Sequence, residues 1–217
     1  LDTTAPQISY AGGTEDNNTY FNRNFIFVNT TITEINLNNV TFYLYNTTSG
    51  AQLNESNFTN ATRSINFTNL GNGNYTYNVT VRDKVSLESS TDHRNITLDT
   101  AAPQISYAGG TLANNSIVSQ SYIFINVSIS EANENNITFF LYNTTSGALL
   151  NNTNFTNATH SINFTNIGEG NYSYNVTVRD KVSFEASTDS RNITLDTTLP
   201  TITLTTPINN SGDNDGN

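Results

Sequence analysis

Cysteine, methionine and tryptophan are absent from all 217 residues. No disulfide and no thiolate metal site can form, and few side chains oxidise readily. Lysine and arginine together number eight, against eighteen aspartates and glutamates, for a net charge of −10. So small a supply of cation excludes nucleic acid and anionic membrane surfaces as electrostatic partners. No apolar run approaches the roughly 18 residues that cross a bilayer, so no membrane span is expected in this segment. Helical periodicity is missing as well. The chain opens mid-phrase, without an initiator methionine or a signal peptide, as expected of a window cut from a longer or processed polypeptide.

What is abundant is asparagine, set in Asn-X-Ser/Thr triplets. Eleven occur in the first 97 residues, at Asn17, Asn29, Asn39, Asn46, Asn54, Asn57, Asn60, Asn66, Asn74, Asn78 and Asn95. All eleven recur 97 residues later, at Asn114, Asn126, Asn136, Asn143, Asn151, Asn154, Asn157, Asn163, Asn171, Asn175 and Asn192, and Asn209 adds one in the tail. Such a triplet is the acceptor for N-linked glycan on the surface of a secreted chain. The first copy holds 18 asparagines, and with about a quarter of its residues Ser or Thr, chance supplies roughly four or five triplets. Fewer than a third of the aligned positions differ between copies. Four triplets change their third residue, Thr19 to Ser116, Thr31 to Ser128, Ser56 to Thr153 and Thr76 to Ser173, and each keeps a hydroxyl. Drift without function destroys some acceptors, and none is destroyed.

The repeat also sets the organisation. Leu1, Leu98 and Leu195 each open the phrase Leu-Asp-Thr. Residues 1–99 and 100–197 read as two units, each large enough for one small core, and 198–217 as the cut-short start of a third. Short alternating segments between turn residues predict an all-β sandwich of seven strands per unit, over about 7–11, 24–33, 39–46, 50–56, 61–68, 73–82 and 92–99. In Asn74-Tyr75-Thr76-Tyr77-Asn78-Val79-Thr80-Val81, the odd residues share one face and the even residues the other. An Asn-apolar-Thr triplet thus turns its acceptor outward while its middle residue enters the core. The core is expected to contain Ile8, Tyr10, Ile26, Val28, Ile32, Val40, Phe42, Leu44, Ile65, Phe67, Leu70, Tyr75, Tyr77, Val79, Val81 and Ile96.

Leu70-Gly71-Asn72-Gly73-Asn74-Tyr75-Thr76-Tyr77 resembles the immunoglobulin-fold pattern leading into strand F. The resemblance implies Tyr75 at the tyrosine corner and Tyr77 in the place of the second disulfide cysteine, as in the disulfide-free, fibronectin-III-like branch. The phrases Leu98-Asp99-Thr100-Ala101-Ala102-Pro103 and Leu195-Asp196-Thr197-Thr198-Leu199-Pro200 are similar to the Asp-Thr-Thr-x-Pro seam of tandem bacterial and archaeal Ig-like surface repeats. That family implies extracellular stalks, adhesins, surface layers or fibres, without choosing among them. Almost no linker separates the last strand of one unit from the first of the next, and Pro103 stiffens the seam. Units stacked end to end as a rod are therefore expected.

Acidic residues retained in both copies are Glu34/Glu131, Asp83/Asp180, Glu88/Glu185, Asp92/Asp189 and Asp99/Asp196. Some surface Ig-like repeats carry calcium at their junctions, which would make Asp83, Glu88 and Asp99 and their copies oxygen ligands; the other reading is turn capping on a solvated surface. His93 and His160 face Ser190 and Arg63 in the opposite copy, so neither belongs to the repeated design. No nucleophile elbow, phosphate loop or metal-binding histidine pair is present, and no catalysis is expected. Tyr43 and Tyr45, with Phe140 and Tyr142, are placed on the Asn39/Asn46 face, to lie under sugar rings or against a neighbouring domain.

The expected function is a non-catalytic, extracellular, heavily N-glycosylated subunit of a rod or filament on an archaeal cell surface, self-associating or continuing end to end. The alternatives are an adhesin or carbohydrate-binding stalk and an accessory Ig-like module of a larger surface protein. A unit of this mass exposes roughly 5,500 Å², so eleven glycans leave about 500 Å² each. Residues 201–217, from Thr201 to Leu204 and then Pro207, are expected to add a strand to another unit.

Overall fold

The computed structural model describes residues 2–59 and 61–203. Among these residues each unit holds nine strands. In the first they are β1 (Gln7–Tyr10), β2 (Thr19–Phe21), β3 (Ile26–Thr33), β4 (Leu37–Asn46), β5 (Gln52–Phe58), β6 (Ser64–Phe67), β7 (Gly73–Asp83), β8 (Glu88–Ser90) and β9 (Arg94–Leu98). The second repeats them as β10 (Gln104–Tyr107), β11 (Ser116–Val118), β12 (Tyr122–Ser130), β13 (Glu134–Asn143), β14 (Leu149–Phe155), β15 (Ser161–Thr165), β16 (Gly170–Asp180), β17 (Glu185–Ser187) and β18 (Arg191–Leu195). All seven strands expected in a unit are present. The two additions are short: β2, which runs parallel to β9, and β8, which pairs with β7.

Within a unit, β1-β3-β6 form one sheet and β2-β9-β7-β4-β5 the other, with β8 on the flank of β7. The sequence dictates the faces. Along β7, Tyr75, Tyr77, Val79 and Val81 are all buried, while Asn74, Thr76 and Thr80 between them are not. Each unit closes on its own hydrophobic cluster, one built around Phe42, Tyr77 and Val79 and the other around Phe139, Tyr174 and Val176. Eleven of the sixteen anticipated core residues of the first unit are buried, and Ile8, Tyr10, Ile32, Ile65 and Leu70 pack half-buried against them. Leu98, which sequence reading assigned to the seam, is fully buried as the last residue of β9.

Aromatic packing holds Tyr77 in the core. It meets Tyr10 of β1 edge to face, ring centroids 5.7 Å apart at 80°, and donates its hydroxyl to Glu15 O at 3.1 Å. Tyr174 and Tyr107 repeat the contact at 5.7 Å and 87°. Between β8 and β9 the chain steps out of line. Thr91 substitutes for a backbone group there: its N–H donates to Val79 O and its hydroxyl accepts from Val79 N–H at 3.0 Å. The β4–β5 turn closes on Gly50, whose φ of +69° favours glycine and whose N–H donates to Asn46 O.

Simple alternation along β4 corrects one expected face. Tyr43 and Tyr45 pair with Asn78 and Thr76 on the outer side, where Asn39 also lies, but Asn46 pairs with Tyr75 on the opposite phase. Asn46 therefore does not share the tyrosine face. Its side-chain oxygen accepts from Ser49 N–H and organises the turn. Residues 201–203 carry no strand, and the rest of the proposed added strand, with Leu204, Pro207 and Asn209, lies outside the described residues.

Candidate functional site: acceptor surface and joint

Of the 21 acceptor asparagines among the described residues, thirteen are exposed, seven half-buried and one, Asn78, buried. Asn60 and Asn209 fall outside the description. The acceptors lie on both sheets: Asn29 and Asn66 on β3 and β6, and Asn39, Asn54, Asn57, Asn74 and Asn95 on β4, β5, β7 and β9. The second unit places its set in the same way.

The hydroxyls of the triplets hold the acceptors in place. Asn74 faces Thr97, and Thr76 faces Asn95, across the β7–β9 ladder. Thr97 Oγ1 donates to Asn74 Oδ1 at 2.8 Å, and Thr76 Oγ1 donates to Asn95 Oδ1 at 2.7 Å. Elsewhere the bond is local, from Ser56 to Asn54, Thr153 to Asn151 and Thr159 to Asn157, each at 2.7 Å. In every case the asparagine oxygen is engaged, which fixes the amide plane and leaves Nδ2, the atom that takes sugar, at a defined angle. Asn78 differs: it sits on the outer face opposite Tyr43, only 8% exposed, and its Oδ1 has no hydrogen-bond partner. Its counterpart Asn175 is half-buried.

Aromatic side chains line the same outer face. Tyr43 and Tyr45 stack at 6.2 Å and 17°, and His93 continues the stack on Tyr45 at 6.5 Å and 7°. Phe140 and Tyr142 repeat the first step at 6.3 Å and 18°. His160 instead pairs with Glu134, 3.0 Å away. The two histidines thus have unrelated surroundings.

The acidic residues divide in a way sequence reading did not anticipate. Glu88 is exposed and paired with Arg82, and Glu185 with Arg179; neither joins a carboxylate cluster. Asp83 and Asp180 are fully buried at the ends of β7 and β16. One oxygen of each holds a turn: Asp83 Oδ1 accepts from Val85 and Leu87 N–H, and Asp180 Oδ1 from Val182 and Phe184 N–H. At the seam, Asp99 of the first unit meets Glu131 and Asp180 of the second, with a carboxylate oxygen from each within 4.8 Å of the other two. Beyond its retention in both copies, Glu131 carries no motif that marks it in the sequence. Asp196 is exposed and Asp92 and Asp189 serve through their backbones, accepting from Tyr10 and Tyr107 hydroxyls. Across the seam, Asn133 Nδ2 also donates to Asp99 Oδ2 at 2.7 Å, and Lys181 Nζ reaches Tyr20, 3.1 Å from its hydroxyl.

Two local features fix the fold type. The Tyr75 hydroxyl donates back to Gly71 O at 2.8 Å, and Tyr172 to Gly168 O at 2.9 Å, which is the tyrosine corner at the entry to strand F. The sheets divide three strands against six, with β4, β7 and β9 central to the larger. The two units are immunoglobulin-like β-sandwiches in tandem. Among solved structures, the Ig-like pair is similar to a marsupial T cell receptor, with a TM-score of 0.52 at 8% identity over 88% of this chain and 73% of that one. It also matches fibronectin(III)-like modules of CbhA from Clostridium thermocellum (TM-score 0.38, 13% identity, 87% and 94% covered). Chicken CNTN1 FN1–FN3 domains match at a TM-score of 0.35 and 11% identity, over 88% and 67%. No family model and no curated protein matches the Ig-like pair. Among the described residues, no helix is long and apolar enough to cross a membrane.

Proposed function

We propose that this chain is a non-catalytic, extracellular structural glycoprotein: Ig-like units joined end to end into a rod or filament whose outer surface is sheathed in N-linked glycan. An archaeal cell surface is the setting that fits such acceptor density on prokaryote-style repeats. The observation that carries the reading is the acceptor set itself, duplicated without loss, distributed over both sheets and, at Asn54, Asn74, Asn95, Asn151, Asn157 and Asn171, tied by triplet hydroxyls. A sheath of this density supplies solubility without high charge, hinders proteases and covers sheet edges such as β5 and β14. Glycopeptide mass spectrometry of the protein purified from its native host tests it. Sugar on most of the acceptors in both units is the expected result; bare asparagines throughout end the proposal.

The stacked ladder of Tyr43, Tyr45 and His93 favours a second reading, an adhesin or carbohydrate-binding stalk, because flat aromatic faces pack against sugar rings. The two readings separate on a glycan array. Binding that is lost in Tyr45→Ala, with unoccupied acceptors around the ladder, supports the stalk.

A further inference from the structure

We infer that the joint between the two Ig-like units is a divalent-cation site, of the calcium class, formed by Asp99, Glu131 and Asp180. It stands on observations separate from glycosylation. Two of the three carboxylates are nearly or wholly out of solvent, Asp180 at 0% and Asp99 at 3%. A buried carboxylate without a partner is costly, and like charges beside it raise the cost. The donors on hand are neutral and already assigned: Asn133 N–H to Glu131, Ala101 N–H and the Asn133 amide to Asp99, and the turn amides to Asp180 Oδ1. No ion pair among the described residues involves these three acids, and the adjacent Lys181 turns its amine to the Tyr20 ring. Asp180 Oδ2 is left buried with no partner at all.

A cation cures each of these faults at once. The ligands are all hard carboxylate oxygens, which suits calcium better than zinc or copper. A cleft of about 480 Å³ at the same seam, lined in part by Asn72, Asp99, Glu131 and Asn133, admits the waters that complete a shell of six to eight oxygens. The hydrogen bonds around the site recur in the first unit, although among the described residues three carboxylate oxygens gather only at the joint. In the first unit Asp2 accepts from the Asn36 amide at 2.9 Å, Glu34 accepts from Asn36 N–H, and Asp83 Oδ2 is again buried and unpartnered. The phrase Leu-Asp-Thr thereby acquires a role: the first unit ends on the aspartate that completes the second unit's Glu–Asp pair.

The test uses the full chain, stripped with chelator and titrated calorimetrically with calcium chloride, with magnesium chloride in parallel. A Glu34→Gln background silences the first unit's copy and isolates the joint. There calcium is expected to bind once, with Kd on the order of 10⁻⁴ M as in other extracellular modules, and more tightly than magnesium. It should also raise the thermal midpoint. Adding Glu131→Gln should weaken binding by about tenfold or more and abolish the thermal gain, while folding without metal persists because a repulsive charge has gone. Asp180→Asn, which keeps the turn-capping oxygen, should do the same. Glu185→Gln, remote and paired with Arg179, should change nothing. Absence of calcium binding up to about 10 mM, well above that range, or equal binding with and without Glu131→Gln, overturns the site.

Discussion

Thr97 donates its hydroxyl to the side-chain oxygen of Asn74 across two neighbouring strands, so one residue completes its own triplet and orients the acceptor of another. Thr76 returns the favour to Asn95. The two modification sites on β7 and β9 are therefore mechanically linked before any sugar is attached. Thr76→Ser should leave glycan at both positions. Thr76→Val should eliminate it at Asn74 by destroying the triplet, and should lower occupancy at Asn95 although the Asn95 triplet is intact. Site-resolved glycopeptide analysis reads both effects.

Asn78 and Asn175 have identical triplets and different surroundings. Asn78 is buried with an unpartnered oxygen, whereas Asn175 is half-buried. Occupancy at Asn78 is expected to fall below that at Asn175 in the same preparation, and quantitative peptide mapping measures the ratio.

The tyrosine corner makes a stability prediction. Tyr75→Phe keeps the ring and removes only the bond to Gly71 O, which should cost the first unit about 1 kcal/mol. Tyr172→Phe should cost the second unit a similar amount. Urea denaturation resolves the two, with glycosylation unaffected in both variants.

Alkaline pH should unfold the chain through its buried phenols. Burial pushes the hydroxyls of Tyr77 and Tyr107 up to about 12, against about 10 for a free tyrosine. The folded state holds these protons after the unfolded chain has released them. Their contribution is complete below about pH 10 and disappears as pH rises from there through about 12. Circular dichroism and tyrosinate absorbance, followed together, should show a late phenol titration that coincides with loss of the sheets. Tyr77→Phe should shrink that step.

Much of this was readable in the residues. The alternation along Asn74 to Val81 places the apolar side chains in the core, and on the outward phase only Asn78 is buried as well. The two missed strands are three residues each and carry no pattern of their own: Thr19-Tyr20-Phe21 becomes a strand only by pairing in parallel with β9, and Glu88-Ser89-Ser90 only by lying against β7. The face of Asn46 was legible as well: one residue past Tyr45, it falls on the opposite side by the two-residue period of a strand. The joint was harder still. Glu88 looks like a ligand from its retention in both copies, yet Arg82 holds it on the surface. Glu131 reaches Asp99 only because two units meet, and a single unit's sequence holds no trace of that meeting.

The parallel pairing of β2 with β9 has a mechanical consequence. The chain enters the first unit through β1, continues into β2 and leaves through β9, and the last two are zipped by the register Thr19 to Ile96, Tyr20 to Thr97 and Phe21 to Leu98. Asn18 N–H on Asn95 O, at 2.7 Å, and Asp99 N–H on Phe21 O, at 2.9 Å, lock its two ends. Tension between the two ends of a unit, once β1 has parted from β3, would pull these strands past each other lengthwise. The bonds are loaded in shear and must fail as a set, not peel one by one, so the strand that sequence reading overlooked is the clasp that bears the load.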